Sequence, residues 1–177
     1  MTTTRTIARE LPLDDLSPSK LWVHLDPEVR QLAAHALYDH DWGRAQTRRE
    51  ADLAVAATLR SREVMVRKMP ADKRADYLAR AVRPTDSLAS SLLLALHLRH
   101  RRDLLSTFLD ALGIPHEDGL IAEEHEVGTL SAEVLAKAAA TLFARFPEEA
   151  VETYLATLVA MDFELWSPLV PFLRERS

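Results

Sequence analysis

The sequence predicts an all-α protein, and three observations predict it. Apolar residues return every three to four positions, only 4 of 177 residues are glycine, and period-two alternation of β-branched with polar residues is rare. The expected architecture is a bundle or short solenoid of antiparallel helical hairpins, with about seven or eight helices. A composition of 47% hydrophobic, 28% charged and 6% aromatic residues excludes the disordered and collagen-like classes. One domain spanning residues 1–177 is expected, because a chain of this length removes roughly 70% of its unfolded surface from water on folding.

Residues 1–20 carry no sustained periodicity and are expected to be extended or partly ordered. Asp26-Pro27-Glu28 then supplies an Asx cap, a proline for the first turn and an acid facing the helix dipole. Val29, Leu32, Ala33, Ala36 and Leu37 continue as one stripe toward His40, where Gly43 marks a turn. A second helix is predicted from Arg44 to Arg62 or beyond, with Ala51, Val55 and Leu59 inward and Leu53 and Ala57 beside them. Pro70 opens a third, with Tyr77, Leu78, Ala81 and Val82 inward, and Arg83-Pro84 closes it.

Asp86 is read as the cap of a fourth helix, whose Leu88, Leu92, Leu93, Leu94, Leu96 and Leu98 leave almost no polar face and so place it at the centre. Leu104, Leu105, Phe108, Leu109 and Leu112 form the next stripe, stopped by Gly113 and Pro115. Residues 113–130 form a long acidic loop or a short β-hairpin. Ser131 opens a helix through Val134, Leu135, Ala138, Ala139, Leu142, Phe143 and Phe146. Pro147-Glu148-Glu149 starts another through Val151, Tyr154, Leu155 and Leu158, and the tail from Leu165 to Leu173, broken by Pro168 and Pro171, docks as one turn or two. Shifting the chain by 46 residues lays 95–112 on 141–158 without gaps, with Phe108 on Tyr154 and Thr107 on Thr153. That spacing suits stacked helical hairpins, and any two amphipathic hairpins rich in Leu and Ala also align this way.

The net charge of −5 hides a strong polarity. Residues 1–43 carry 4 basic and 7 acidic side chains, residues 44–102 carry 14 and 6, and residues 103–177 carry 4 and 14. The basic third suits an anion, the chain's own acidic third, or that third on a neighbour. Within it His97, Arg99, His100, Arg101 and Arg102 make a candidate anion-binding patch that protonation of the histidines would strengthen. The domain-wide charge and the lack of interleaved aromatics argue against nucleic acid.

No cysteine is present, which excludes disulfides, thiolate metal sites and thiol nucleophiles. The start, MTTTRTIARELPLDD, has no apolar signal core and no segment reaches a membrane span, so a cytoplasmic protein without membrane contact is expected. No GxSxG, GxGxxG or phosphate-loop string occurs. Metal chemistry has two places to sit. The acidic loop gathers His116, Glu117, Asp118, Glu123, Glu124, His125 and Glu126, without zincin or EF-hand spacing. The other is His35, Asp39, His40 and Asp41. The string His40-Asp41-Trp42-Gly43-Arg44 resembles the metal-binding core of HD-type phosphohydrolases, an all-α class in which adjacent His and Asp bind a divalent ion beside a phosphate ester. The resemblance covers five residues. That class has a further ligand histidine about one helix-turn-helix upstream, whereas His24 and His35 stand 16 and 5 residues before His40. A helix C-terminus, with His40 near the last carbonyls and Gly43 in the turn, accounts for the same residues.

The expected function is therefore a non-catalytic helical module that needs no cofactor. It binds a protein partner, or a second copy as a homodimer, through a groove and complementary charged faces. The alternative is an HD-like phosphohydrolase with a divalent metal on His35, His40, Asp41, His116 and His125.

Overall fold

The computed structural model describes residues 11, 13–39, 44–121, 125 and 127–175. The protein is all-α, with one two-stranded ribbon among the described residues. Among the described residues seven α-helices have ten residues or more, and four shorter ones add to the number expected. They are α1 (Pro18–His24), α2 (Pro27–Tyr38), α3 (Ala45–Thr58), α4 (Glu63–Arg67), α5 (Ala71–Ala81), α6 (Asp86–His100), α7 (Arg102–Leu112), α8 (Ala132–Arg145), α9 (Glu148–Met161), α10 (Phe163–Trp166) and α11 (Val170–Glu175). No helix of the described residues is long and apolar enough to cross a membrane. The chain divides into two compact units: a central one, Pro18–His100, and a terminal one, Met1–Ser17 with Arg101–Ser177.

In the central unit α6 packs against α1, α2 and α3, while α5 packs against α2 and α3. Leu88, Leu92, Leu93 and Leu96 of α6 are fully buried, as a helix with no polar face requires. Leu94 is the exception and stays exposed. α2 begins as expected: the Asp26 carboxylate accepts the Glu28 N–H at 2.8 Å. The cap of α6 differs from expectation. Thr85 occupies it, accepting the Leu88 N–H on its hydroxyl at 3.3 Å, while Asp86 accepts the backbone N–H of Ser19 at 2.9 Å and so ties the start of α1 to α6.

The single helix expected from Arg44 to Arg62 is instead two. Arg60 takes a left-handed conformation (φ 50°), the Ser61 N–H reaches the Ala56 carbonyl at 2.9 Å, and the Arg60 N–H reaches Ala57 at 3.2 Å. This is a Schellman stop built on arginine, so the glycine that usually advertises it is missing from the sequence. Five residues expected on the inward stripes of α2, α3 and α5 are exposed: Leu32, Leu53, Ala57, Tyr77 and Ala81.

In the terminal unit α7 packs on α8, and α8 on α9 and the 3-10 turn Ser167–Leu169. Phe108 is its hub, meeting Tyr154 edge-on with centroids 5.4 Å apart and Trp166 at 5.9 Å. Phe108 and Tyr154, paired by the 46-residue register, thus touch each other. The division between units falls between α6 and α7, so the first member of that aligned pair straddles it. Buried Thr153 and Thr157 on α9 donate to the carbonyls four residues back, at 2.7 Å each, which satisfies hydroxyls that would otherwise be costly there. Gly113 ends α7 at φ 69° with the Ile114 N–H on Leu109 at 2.9 Å. The ribbon pairs β1 (His116–Glu117) with β2 (Leu120–Ile121), and Asp118-Gly119 at its tip both have positive φ, as a two-residue hairpin needs. Pro168 and Pro171 sit in first turns of the tail's short helical segments, where a missing N–H costs nothing.

Arg60→Gly removes the side chain that makes the left-handed turn costly and should stabilise the protein by about 1 kcal/mol. The urea midpoint would rise at an unchanged slope. A lower midpoint would mean that Arg60 contributes contacts outweighing its backbone strain.

Candidate functional site

The inner face of α3 is built around a carboxylate. Ala51, Val55 and Ala56 are buried with Asp52, which is only 4% exposed. The guanidinium of Arg74, from α5, donates to both Asp52 oxygens at 3.0 and 2.8 Å, and the Tyr38 hydroxyl, from the end of α2, donates to one of them at 2.8 Å. Arg74 also lies over the Tyr38 ring, 4.8 Å from its centroid. One carboxylate therefore fixes α3 against two other helices. Burial, and next the hydrogen bond to Asp52, push the Tyr38 hydroxyl well above the usual phenol range.

With its inner face held, α3 turns the opposite face outward. Ala45, Gln46, Arg49, Glu50 and Leu53 line an open groove of about 630 Å³, and Leu53 is 46% exposed. Beside it α4 leaves Val64 54% and Met65 53% exposed. A second depression of about 420 Å³ brings Arg67 of α4 to Arg48 and Arg49 of α3. The Glu63 carboxylate is shared there, paired by one oxygen with Arg49 at 3.4 Å and with Arg67. Asp52 also lines this depression, Glu50 lines the neighbouring groove, and Leu53, Val64 and Met65 are exposed on the two helices.

The metal-ligand candidates fall in both units, and two of them are not among the described residues. His40 and Asp41, with Trp42 and Gly43, lie outside the described residues. His35 stands between two carboxylates of α5, with Nε2 3.3 Å from Asp76 and Nδ1 3.7 Å from Asp72, and Gln31 donates to Asp76 at 3.0 Å. Each ring nitrogen faces its own acid, an arrangement for pairing rather than for two groups meeting one ion. The hydrogen bond from His35, chief among the causes, holds the Asp76 carboxyl below the usual range. His116 belongs to the terminal unit: its Nδ1 accepts the Gly119 N–H at 3.2 Å, which leaves Nε2 to donate to Asp110 at 3.1 Å. His125 is exposed in coil. Among the described residues no three His, Asp or Glu are placed to hold a metal ion.

The candidate anion patch is divided as well. His97 is buried in α6, Arg99 pairs with Asp39 at 2.9 Å, and His100 is exposed at the helix end. Arg101 donates to the Ala150 carbonyl at 3.3 Å. Burial lowers its pKa against the opposing pull of Glu149. Arg102 pairs with Asp118. Sequence reasoning missed both Asp52 and the outward α3–α4 face. The available signal was an aspartate between Ala51 and Val55 on the inward stripe of α3. Comparison with protein-family models, curated proteins and solved structures finds no match.

Removing Asp52 strands a buried guanidinium. Asp52→Ala should cost about 3–5 kcal/mol, and Asp52→Leu with Arg74→Met should recover most of it. Equal loss in the single and double variants, measured by urea unfolding, would contradict the pairing. Stability should also bend at both pH extremes. Tyr38 and buried Tyr154 have folded pKa values raised above their unfolded ones, so their contribution is intact below about pH 10 and is lost as the pH climbs further. Asp76 is depressed, so its contribution holds above about pH 4 and disappears as acid protonates it. Unfolding free energies across pH should show a shallower alkaline fall in Tyr38→Phe and a shallower acid fall in Asp76→Asn. Slopes identical to the parent would contradict those assignments.

Proposed function

We propose that this protein is a non-catalytic interaction module that binds a protein partner through the outward face of α3 and α4. The observation that carries the reading is that Leu53 shares an open groove with Arg49, next to a depression lined by Arg48, Arg49 and Arg67, while Val64 and Met65 stay about half exposed on the same short helix as Arg67. Isolated exposed apolar residues are ordinary, but three on two consecutive helices that also carry three arginines suit the apolar centre and charged rim of a recognition patch. Covering each would contribute about 1 kcal/mol, which is small against the cost of association. The partner must therefore also present carboxylates to the arginines, and binding should weaken with salt. Met65 adds a side chain that adapts to different surfaces. The cysteine-free sequence supports a reducing compartment such as the cytoplasm.

The test is affinity capture with the tagged full chain and with Leu53→Glu/Met65→Glu, both changes being at exposed helix positions. The parent should retain a protein in near-stoichiometric amount and release it at high salt, and the double variant should lose it by tenfold or more at unchanged melting temperature. Retention of the same partner by both proteins would overturn the reading, as would a co-purifying divalent metal with phosphatase turnover.

A further inference from the structure

The two units carry opposite charge. The central unit has 14 basic and 10 acidic side chains, a net of +4, whereas the terminal unit has 8 and 17, a net of −9. The terminal unit also has an exposed surface complementary to the α3–α4 face. An open groove of about 380 Å³ is lined by Val127, Leu130, Leu165 and Pro168 together with Thr129, Asp162 and Glu164, a mixed polar and apolar surface. Phe163, between those two acids in sequence, is 42% exposed at the first position of α10. Asp162 is occupied as the cap of α10, accepting the Leu165 N–H at 3.1 Å, while Glu164 is exposed.

We propose that the occupant of the α3–α4 face is a second copy of this chain, presenting its α10 groove. The inference rests on the interaction reading above and gives it a partner. Phe163 and Leu165 supply apolar surface for Leu53, Val64 and Met65, and Glu164 supplies the carboxylate that Arg49 and Arg67 otherwise draw from the single Glu63. Apolar centre meets apolar centre, and acid meets base. The contact joins two different surfaces, so it is heterologous, and repeated use closes a ring or extends a chain. A patch of this size belongs with weak, salt-sensitive associations of roughly micromolar strength. A polyanion such as nucleic acid would satisfy the arginines but would leave Leu53, Val64 and Met65 uncovered, and the described face offers no aromatic ring for base stacking.

Trans-complementation tests the proposal. Leu53→Glu/Met65→Glu spoils the basic face and keeps the groove, and Phe163→Lys/Glu164→Lys spoils the groove and keeps the basic face. By sedimentation or light scattering the parent's mass should rise with concentration up to about 100 µM at low salt and fall back in about 0.5 M salt. Each variant alone should stay monomeric with a parent-like melting temperature. An equimolar mixture, which retains one intact pair of surfaces, should form a 1:1 dimer and nothing larger. A parent that stays monomeric would overturn the proposal, as would a variant that assembles alone or a mixture that does not. A monomeric parent that still captures a different protein through Leu53 and Met65 would leave the interaction reading standing and remove only the second copy. A parent that shifts RNA or DNA in a gel while staying monomeric would assign the arginines to a polyanion instead.

Discussion

The carboxylate of Asp52 is the constraint on which the orientation of α3, and with it the proposed recognition surface, depends. A buried ion pair contributes little net stability when compared with a well-packed apolar substitute, because both charges lose their water. Its effect here is directional. Asp52 accepts from Arg74 on α5 and Tyr38 at the end of α2, and those three hydrogen bonds allow α3 one rotation about its axis. A purely apolar inner face of Ala51, Val55 and Ala56 would tolerate a slipped helix. With Asp52 fixed, Arg49 and Leu53 have to face water, and Leu53 stays there although it is as hydrophobic as any core residue.

Much of the fold was legible because it is written in periodicity and caps. Asp26, Ser131 and Gly113 stop or start their helices as their side chains or backbones dictate. The helix faces that differ from expectation share a physical origin. Leu32, Leu53 and Tyr77 were placed inward because they are apolar, yet a helix face is chosen by the whole stripe, and a polar residue able to find partners can outrank a leucine for the inward position. Nothing local in the sequence says that Asp52 has a guanidinium and a phenol waiting 22 and 14 residues away. The break after α3 was illegible for a different reason. Arg60 does the work of a glycine, and its left-handed backbone appears only once the Ser61 and Arg60 amides have found their carbonyls.

The histidines illustrate how composition overstates chemistry. His35, His97 and His116 look alike in sequence, and the structure gives them three separate environments: between two acids, inside α6, and across a hairpin. The tight Asp118-Gly119 turn was foreshadowed by the residue pair itself. The charge division, by contrast, was visible in the sequence at once. The structure adds that exposed apolar side chains, Leu53 in one unit and Phe163 in the other, stand next to those charges.

If Asp52 sets the rotation of α3, neutralising it should loosen that helix before the rest of its unit. Native-state hydrogen exchange, compared residue by residue between the parent and Asp52→Asn, tests this most directly. The account predicts that the amides from Ala51 to Thr58 lose protection selectively while those of α6 from Leu92 to Leu98 keep theirs. Protection lost evenly across both helices, or unchanged in α3, would contradict it.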